Sequence, residues 1–301
     1  VNLRYKSILI TGSNGFIGRN LVKRLKKEGA LITTIDNLSS SKAGSSYIDY
    51  IMDVSSKEFL DQRFNVDYVV HLASPCSVLQ FNNSPIFSLN NSIQGFYNIL
   101  KVTKRNKAKL IFPSSGNVYG NISIPFKENN DPRPNNLYAI SKYTMEKMAY
   151  LSGVDFVALR IFAGYGPLEE EKGELMSVVT KFIINILKDQ RPIVWGNGEQ
   201  ARDFVFIDDV VEAFIKSMKY RTPRILNVGS GRMTNYNELI KTINKILEKN
   251  ITPKYIEKPS FYINQTLADI TKMQKYLDLK ITSLENGIRK TVKHLKSLDE
   301  I

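Results

Sequence analysis

Tyr138 and Lys142 stand four residues apart in Tyr138-Ala139-Ile140-Ser141-Lys142. On a helix such a pair shares one face, so a phenol and an ammonium can enter one pocket. The positive charge is expected to favour the phenolate and draw the tyrosine below its ordinary pKa of about 10. A base of that kind can take a proton from an alcohol near neutral pH. The spacing also arises by chance on amphipathic helices, so its meaning comes from Ser114-Ser115 upstream and from a glycine-rich N-terminus.

That N-terminus reads Thr11-Gly12-Ser13-Asn14-Gly15-Phe16-Ile17-Gly18, with a strand-like run before it and helical spacing after it. In this context Gly12 permits a tight turn, Gly15 lets the backbone approach a pyrophosphate, and Gly18 lets helix and strand pack closely. The phosphates would lie at the positive helix N-terminus. Asp36 ends the second strand, where a carboxylate can accept hydrogen bonds from an adenosine ribose and repel a 2′-phosphate, so NAD is expected over NADP. Asp53, ending the third strand, suits the adenine amino group or a cap on the next helix.

The elements that must position these groups alternate between strand and helix. Strands are expected at residues 6–11, 31–36, 47–53, 66–72, 110–112 and 154–161, and helices at 16–27, 87–106 and 138–151. This alternation predicts an α/β fold with a Rossmann-type, doubly wound parallel sheet. Beyond about Gly164 the rhythm changes. A helix at 178–187, short strands at 193–195 and 204–207, a helix capped by Asp208 and running to 220, a strand at 225–228 and helices at 236–247 and 284–298 suggest a smaller C-terminal α/β domain. We place an NAD-binding domain at residues 1–163, joined by a returning segment near 203–229, and a nucleotide-sugar-binding domain at 164–301.

The 301 residues, 43% hydrophobic, exclude a disordered chain. No apolar run reaches the roughly 18 residues of a membrane span, and the N-terminus enters a strand too early for a signal peptide. A single cysteine, Cys76, and two histidines leave no intrachain disulfide and no expected metal site. A cytoplasmic setting is expected. The net charge of +13 would attract anionic ligands, but the lysines are scattered and not interleaved with aromatics, so no nucleic-acid partner is expected. His71, at the end of a buried strand, reads as a packed core residue, and Cys76 has no histidine close in sequence to activate it.

Taken together, the glycine turn, the aspartates ending strands two and three, His71-Leu72-Ala73-Ser74, Ser114-Ser115 before Val118-Tyr119-Gly120, and Tyr138 with Lys142 resemble the extended short-chain dehydrogenase/reductase family. The likeness extends to its nucleotide-sugar epimerase/dehydratase branch through Arg160-Ile161-Phe162-Ala163-Gly164-Tyr165-Gly166-Pro167, Trp195-Gly196-Asn197-Gly198, Arg202-Asp203-Phe204, Asp208-Asp209-Val210, Asn227-Val228-Gly229 and Ala268-Asp269. The resemblance implies catalysis by Ser115, Tyr138 and Lys142. It implies NAD contacts from Gly12, Asn14, Gly15, Phe16, Ile17, Gly18, Asp36, Asn37, Asp53, Val54, Leu72, Ala73 and Ser74, together with Tyr138 and Lys142. It implies a nucleotide-diphosphate sugar held by Ser115, Asn117, Ala163, Trp195, Arg202, Lys258 and Asp269. A homodimer paired through the helices at 87–106 and 138–151 is also implied.

In that branch the sugar C4 hydroxyl loses its proton to the tyrosine and its hydride to NAD, leaving a 4-keto sugar. Dehydratases of the branch place Asp-Glu after the catalytic hydroxyl residue, and decarboxylases a glutamate at the second position. Here those positions are Gly116 and Asn117, which resembles the 4-epimerases and some 4-keto reductases. The substrate side departs from the pattern. Ala163 stands for the usual asparagine, Lys258-Pro259-Ser260-Phe261 for Arg-Pro-Gly-Asp, and Ser92 for an asparagine before Gly95. The expectation is an NAD-dependent nucleotide-sugar 4-epimerase. A 4-keto-sugar reductase or dehydrogenase is the near rival, a dehydratase a weaker one, and a non-catalytic NAD-binding protein the rival from another class.

Overall fold

A computed structural model describes residues 2–39, 44, 47–257 and 264–298. The first half runs β1 (Ser7–Thr11), α1 (Phe16–Lys27), β2 (Leu31–Asp36), β3 (Tyr50–Ile51), α2 (Lys57–Asp61), β4 (Tyr68–His71), α3 (Val78–Asn83), α4 (Pro85–Asn106), β5 (Lys109–Ser115), α5 (Leu137–Ser152) and β6 (Phe156–Ile161). The second half adds β7 (Ala163–Tyr165), α6 (Val178–Leu187), β8 (Ile193–Trp195), β9 (Ala201–Phe206), α7 (Ile207–Lys219), β10 (Ile225–Val228), β11 (Met233–Asn235), α8 (Tyr236–Leu247), β12 (Lys254–Ile256), α9 (Thr271–Leu277) and α10 (Leu284–Lys296).

Seven parallel strands form the main sheet in the order β10-β6-β5-β4-β1-β2-β3. Successive side chains in a strand face opposite sides, and the sequence supplies apolar residues for both. Leu9, Val69, Leu110 and Phe112 enter one core with α4 and α5, through Phe96, Ile99, Met145 and Ala149. Ile8, Ile10, Val70 and Ile111 enter the other with α1 and α7, through Leu21, Leu25, Val210 and Phe214. Strands buried on both faces are what a doubly wound sheet requires. Because β1 pairs with β2 on one side and β4 on the other, the chain reverses direction of travel there. Such a switch point opens a crevice at the carboxyl ends of the strands, where α/β proteins bind ligands.

The smaller part of the fold holds a three-stranded sheet, β11-β9-β7, and the pair β12-β8. Two sequence expectations change. The third strand was expected over 47–53, yet only Tyr50–Ile51 pairs. Upstream, the Asp49 carboxylate takes the Thr34 amide at 2.7 Å and the Tyr47 carbonyl takes the Thr34 hydroxyl, so side chains replace the ladder. Asp208 does not cap its helix. α7 starts at Ile207 without a side-chain cap, and Asp208 sits in the first turn bonded to Lys290 at 2.9 Å.

Asp203 locks the smaller sheet to two loops. Fully buried on β9, its carboxylate accepts from the Ser230 amide (2.6 Å) and hydroxyl (2.7 Å), the Gly231 amide (3.1 Å) and the Ala268 amide (3.0 Å). An asparagine would turn an NH2 group toward one set of these donors. Asp203→Asn should therefore cost about 2–4 kcal/mol, read as a lower urea midpoint; an unchanged midpoint would show that the carboxylate clamps nothing.

Candidate functional site

The site gathers at the carboxyl ends of β1, β2, β4 and β5. At the first, Gly12 has φ +70°, and an added Cβ there would lie 2.5 Å from the Ala73 amide nitrogen. A Cβ on Gly18 would fall 2.3 Å from the Gly12 carbonyl oxygen. Only glycine lets the turn pass between β4 and α1 at these distances. Gly15 is the α1 N-cap and makes no side-chain capping bond, and no acidic residue occupies the first turn. The helix therefore presents amides and a positive dipole end to the crevice, which fits an anionic pyrophosphate. Phe16 and Ile17 open the helix, with the Lys172 ammonium 5.3 Å from the Phe16 ring centre.

Asp36 is buried at the end of β2 and accepts from the Asn14 amide and the Leu38 amide, each at 2.8 Å. Tyr47 donates its hydroxyl to Asn14 Oδ1, closing the same corner. Asp53 accepts from Ser55, from Asn37 Nδ2 at 2.8 Å and from Asn91. Burial works to raise its pKa, but these hydrogen bonds outweigh it and hold the carboxyl below its ordinary value. The cap of α2 is Ser56, not Asp53. Val54 is buried beside them, its carbonyl accepting from Asn98.

At the next strand ends, the Leu72 amide donates to the Thr11 carbonyl and Ser74 lies just beyond Ala73. Ser115 ends β5, its hydroxyl accepting from the Asn117 amide at 3.1 Å. Tyr138 and Lys142 come from α5, which is capped by Asn136 through a 2.9 Å bond from the Ala139 amide and stopped by Gly153 in the left-handed region. The helix buries Ala139, Lys142, Met145, Glu146 and Ala149 along one stripe. Lys142 donates to Ser74 Oγ at 2.6 Å and is 4% exposed. The structure thus joins Ser74, Ser115, Tyr138 and Lys142 in one pocket, floored by the Phe81 ring of α3, whose centre lies 5.8 Å from that of Tyr138.

The tyrosine's titration corrects the expectation from the sequence. Burial pushes Tyr138 up to about 12, against a lowering by its hydrogen bond with Ser115. Burial also pulls Lys142 down to about 8. The ammonium lies 5.7 Å from the centre of the tyrosine ring and is engaged with Ser74. Desolvation is the largest cause of both shifts, and the lysine is turned to Ser74 rather than to the phenol. His71 lies behind them, buried, with Nδ1 bonded to Thr11 Oγ1 at 2.9 Å, and burial followed by the nearby Lys142 charge lowers it to about 3. It is a neutral packing residue.

The expected substrate residues are spread along the smaller part. Gly116 is buried, and a Cβ there would lie 3.2 Å from the Phe162 ring. Ala163 begins β7, which pairs with β9. Trp195, 40% exposed, lines a cavity of about 550 Å³ with Met176, Lys181, Arg191 and Tyr236. Arg202 donates to the Ala201 and Asn264 carbonyls and its guanidinium lies 5.9 Å from the Tyr236 ring centre. Asp269 accepts from the Thr271 amide at 2.9 Å, at the start of α9. Lys258 lies outside the described residues. Sequence reasoning passed over Glu146, whose signal was its place one turn beyond Lys142, and Phe81, which carried none.

The profile of the NAD dependent epimerase/dehydratase family matches residues 8–229, most of the chain. The chain belongs to that family. It is 28% identical to a UDP-glucuronate 4-epimerase of Thermodesulfobacterium geofontis, over 97% of each chain. It is also 28% identical to a UDP-N-acetyl-alpha-D-glucosaminuronate decarboxylase of Bacillus cytotoxicus, over 98% of this chain and 99% of that one. Among solved structures it resembles the Thermotoga maritima UDP-glucose 4-epimerase determined with UDP-glucose, at 31% identity and a TM-score of 0.92, over 98% of this chain and 100% of the other. The family and its NAD cofactor are thereby fixed, while the likeness itself runs to more than one activity.

Holding a lysine ammonium in so dry a place opposes folding below its depressed pKa. The native chain loses that proton near pH 8 and the unfolded chain near 10.5, so stability rises with pH between those values. Lys142→Met should stabilise the fold at pH 7, by an amount reduced by the loss of the bond to Ser74, with the gain fading above pH 8. A lower urea midpoint for the variant at neutral pH would overturn this account.

Proposed function

We propose that the chain is an NAD-dependent nucleotide-sugar 4-epimerase. The observation that carries this reading is the lack of a proton-transferring carboxylate beside Ser115. Gly116 packs against Phe162 and Asn117 offers only an amide. Two carboxylates behind the site are engaged elsewhere: Glu146 with Arg160 and Ser114, and Glu128 with the Asn227 amide and, at 3.8 Å, Lys272. Among the described residues no free carboxylate stands beside Ser115 to drive loss of water, which favours return of the hydride to a keto intermediate.

In this reading Tyr138 takes the C4 hydroxyl proton and Ser115 hydrogen-bonds the reacting oxygen. Lys142, which would also contact the nicotinamide ribose, would supply the positive charge that favours the phenolate this role requires and burial alone opposes. NAD, when bound, supplies the hydride acceptor. The glycine turn, Asp36, Asn37, Asp53, Val54 and the Leu72–Ser74 segment would hold it. Residues from 164 onward, with Trp195 and Arg202, would hold the nucleotide diphosphate, the planar guanidinium suiting phosphate oxygens. The 550 Å³ cavity beside Trp195 is of a size for a nucleoside base.

The outer surfaces of α4 and α5 support a homodimer. Ile86, Phe87 and Tyr97 on the first and Ile140, Tyr150 and Leu151 on the second are exposed, Leu151 to 82%. A second copy meeting this face would bury them in a four-helix contact. Phe87→Asp combined with Leu151→Asp should convert a dimer to a monomer in sedimentation; a wild-type chain that sediments as a monomer would sink the assignment.

Chromatography of products from UDP-, GDP-, CDP- and dTDP-sugars, without added NADH, tests the activity. Interconversion of C4 epimers is expected with at least one of them. Tyr138→Phe should reduce it by about 10²–10⁴-fold while the protein retains its NAD. Stoichiometric NADH consumption on a 4-keto sugar, with no epimers formed, would instead make the chain a reductase.

A further inference from the structure

Glu146 and Arg160 form a buried ion pair one helical turn from Lys142, and the proposed mechanism gives it no task. Glu146 Oε1 accepts from Arg160 Nε at 2.9 Å and Oε2 from Arg160 Nη2 at 2.7 Å, with both side chains 4% exposed. The same Oε1 accepts from Ser114 Oγ at 2.5 Å. Such a pair does little for stability compared with apolar side chains of equal volume, because both charges lose their hydration. Its presence beside an apolar core of aliphatic and aromatic side chains points to a gain in position.

The connections say which position. On α5, Tyr138, Lys142 and Glu146 follow at intervals of four, so they share a face. Ser114 directly precedes Ser115 on β5, and Arg160 stands opposite Ser114 across β6. The carboxylate therefore ties the helix bearing the tyrosine and lysine to the strand bearing the serine. The tie continues toward the smaller part of the fold. The Arg160 guanidinium lies 4.8 Å from the Tyr119 ring centre, and Tyr119 donates to Asn227 Oδ1 at 2.7 Å. Asn227 Nδ2 then donates to the Phe126 and Asp269 carbonyls.

We propose that Glu146 is a positioning residue: its bonds to Ser114 and Arg160 fix the rotation of α5 against β5, so that Tyr138 and Ser115 converge on one substrate oxygen. The inference rests on the assignment of Tyr138 as base, and its test carries a readout independent of any sugar. A change in the rotation of α5 alters the hydrogen bond between Ser115 and Tyr138, and with it the tyrosine's titration. Arg160→Lys should not substitute, since an ammonium cannot form the two-pronged bond.

The experiment compares wild type, Glu146→Gln, Ser114→Ala and the paired Glu146→Leu/Arg160→Met. For each, the Tyr138 pKa is followed by NMR of isotope-labelled tyrosine, with Tyr138→Phe marking the resonance, alongside kcat, KM, retained NAD and the urea midpoint. In Glu146→Gln, kcat should fall by about 10²-fold, as expected for a slight misplacement of reacting groups, with KM and NAD content near wild type and a shifted Tyr138 titration. Ser114→Ala removes a single hydroxyl and should move both quantities in the same direction by less, which keeps the idea testable if Glu146→Gln does not fold. The paired apolar variant should match or exceed wild-type stability while kcat stays low. Full activity in that variant, or an unmoved Tyr138 titration in both Glu146→Gln and Ser114→Ala, would reduce the pair to packing and overturn the proposal. If wild type epimerises no sugar, the 4-epimerase reading fails alone, because the titration still reports on Glu146.

Discussion

A lysine ammonium and a tyrosine hydroxyl held together with little water around them set the conditions for the rest of this molecule. Each loses hydration by lying between α5 and the ends of β4 and β5, which shifts Lys142 downward and Tyr138 upward. A helix free to turn would release both groups to solvent. The sheet prevents it, because β4 and β5 are buried on both faces and α5 is packed into one of the two cores through Met145 and Ala149. The polar stripe of the helix is thereby forced against strand ends that offer matching partners: Ser74 for the lysine, Ser115 for the tyrosine, and Ser114 for Glu146. The stability lost at this stripe is offset by the apolar packing on either side of it.

The same sheet geometry brings two chemistries into register. Parallel strands end together, so the glycine turn after β1, Asp36 after β2, Ser74 after β4 and Ser115 after β5 all open on one edge. The switch in strand order between β1 and β4 parts the flanking helices there, and at such a point α/β proteins bind dinucleotides. The Asn14 amide, bonded to Asp36, couples the turn to β2 so that both ends of the cofactor corner are set by one rigid layer.

Features that depend on backbone geometry were legible in the sequence, because they leave glycine where nothing else fits. Gly12 and Gly18 are examples, each meeting backbone atoms at less than 3 Å if given a side chain. The helical spacing of Tyr138 and Lys142 was legible for a similar reason, since periodicity is local. What depends on desolvation was not. The sequence shows a positive charge beside a phenol, and only the fold reveals that the lysine is bonded to Ser74 and that burial raises the phenol. Glu146 escaped notice because its partner lies on a strand beyond the end of α5, where no spacing rule reaches. The third strand is shorter than its sequence suggests because Asp49 and Thr34 satisfy each other through side chains, an exchange that alternation of apolar residues cannot reveal.

The departures on the substrate side follow from how that side is built. Residues 264–269 cross from β9 to the loop at Phe126 through main-chain bonds. The Ala201 amide donates to the Asn264 carbonyl, the Thr266 amide to Ala201, the Phe126 amide to Leu267 and the Asp269 amide to Phe126. Asp203 holds the Ala268 amide from beneath. None of these bonds depends on the identity of a side chain in the crossing segment, so its course survives sequence change. Side chains along this part of the fold can then vary without disturbing the frame. The buried chain from Glu146 through Arg160, Tyr119 and Asn227 ends on the Phe126 and Asp269 carbonyls, which are main-chain atoms as well. The frame around Ser115, Tyr138 and Lys142 and the frame of the smaller part are thus joined at main-chain atoms, which side-chain substitutions leave in place.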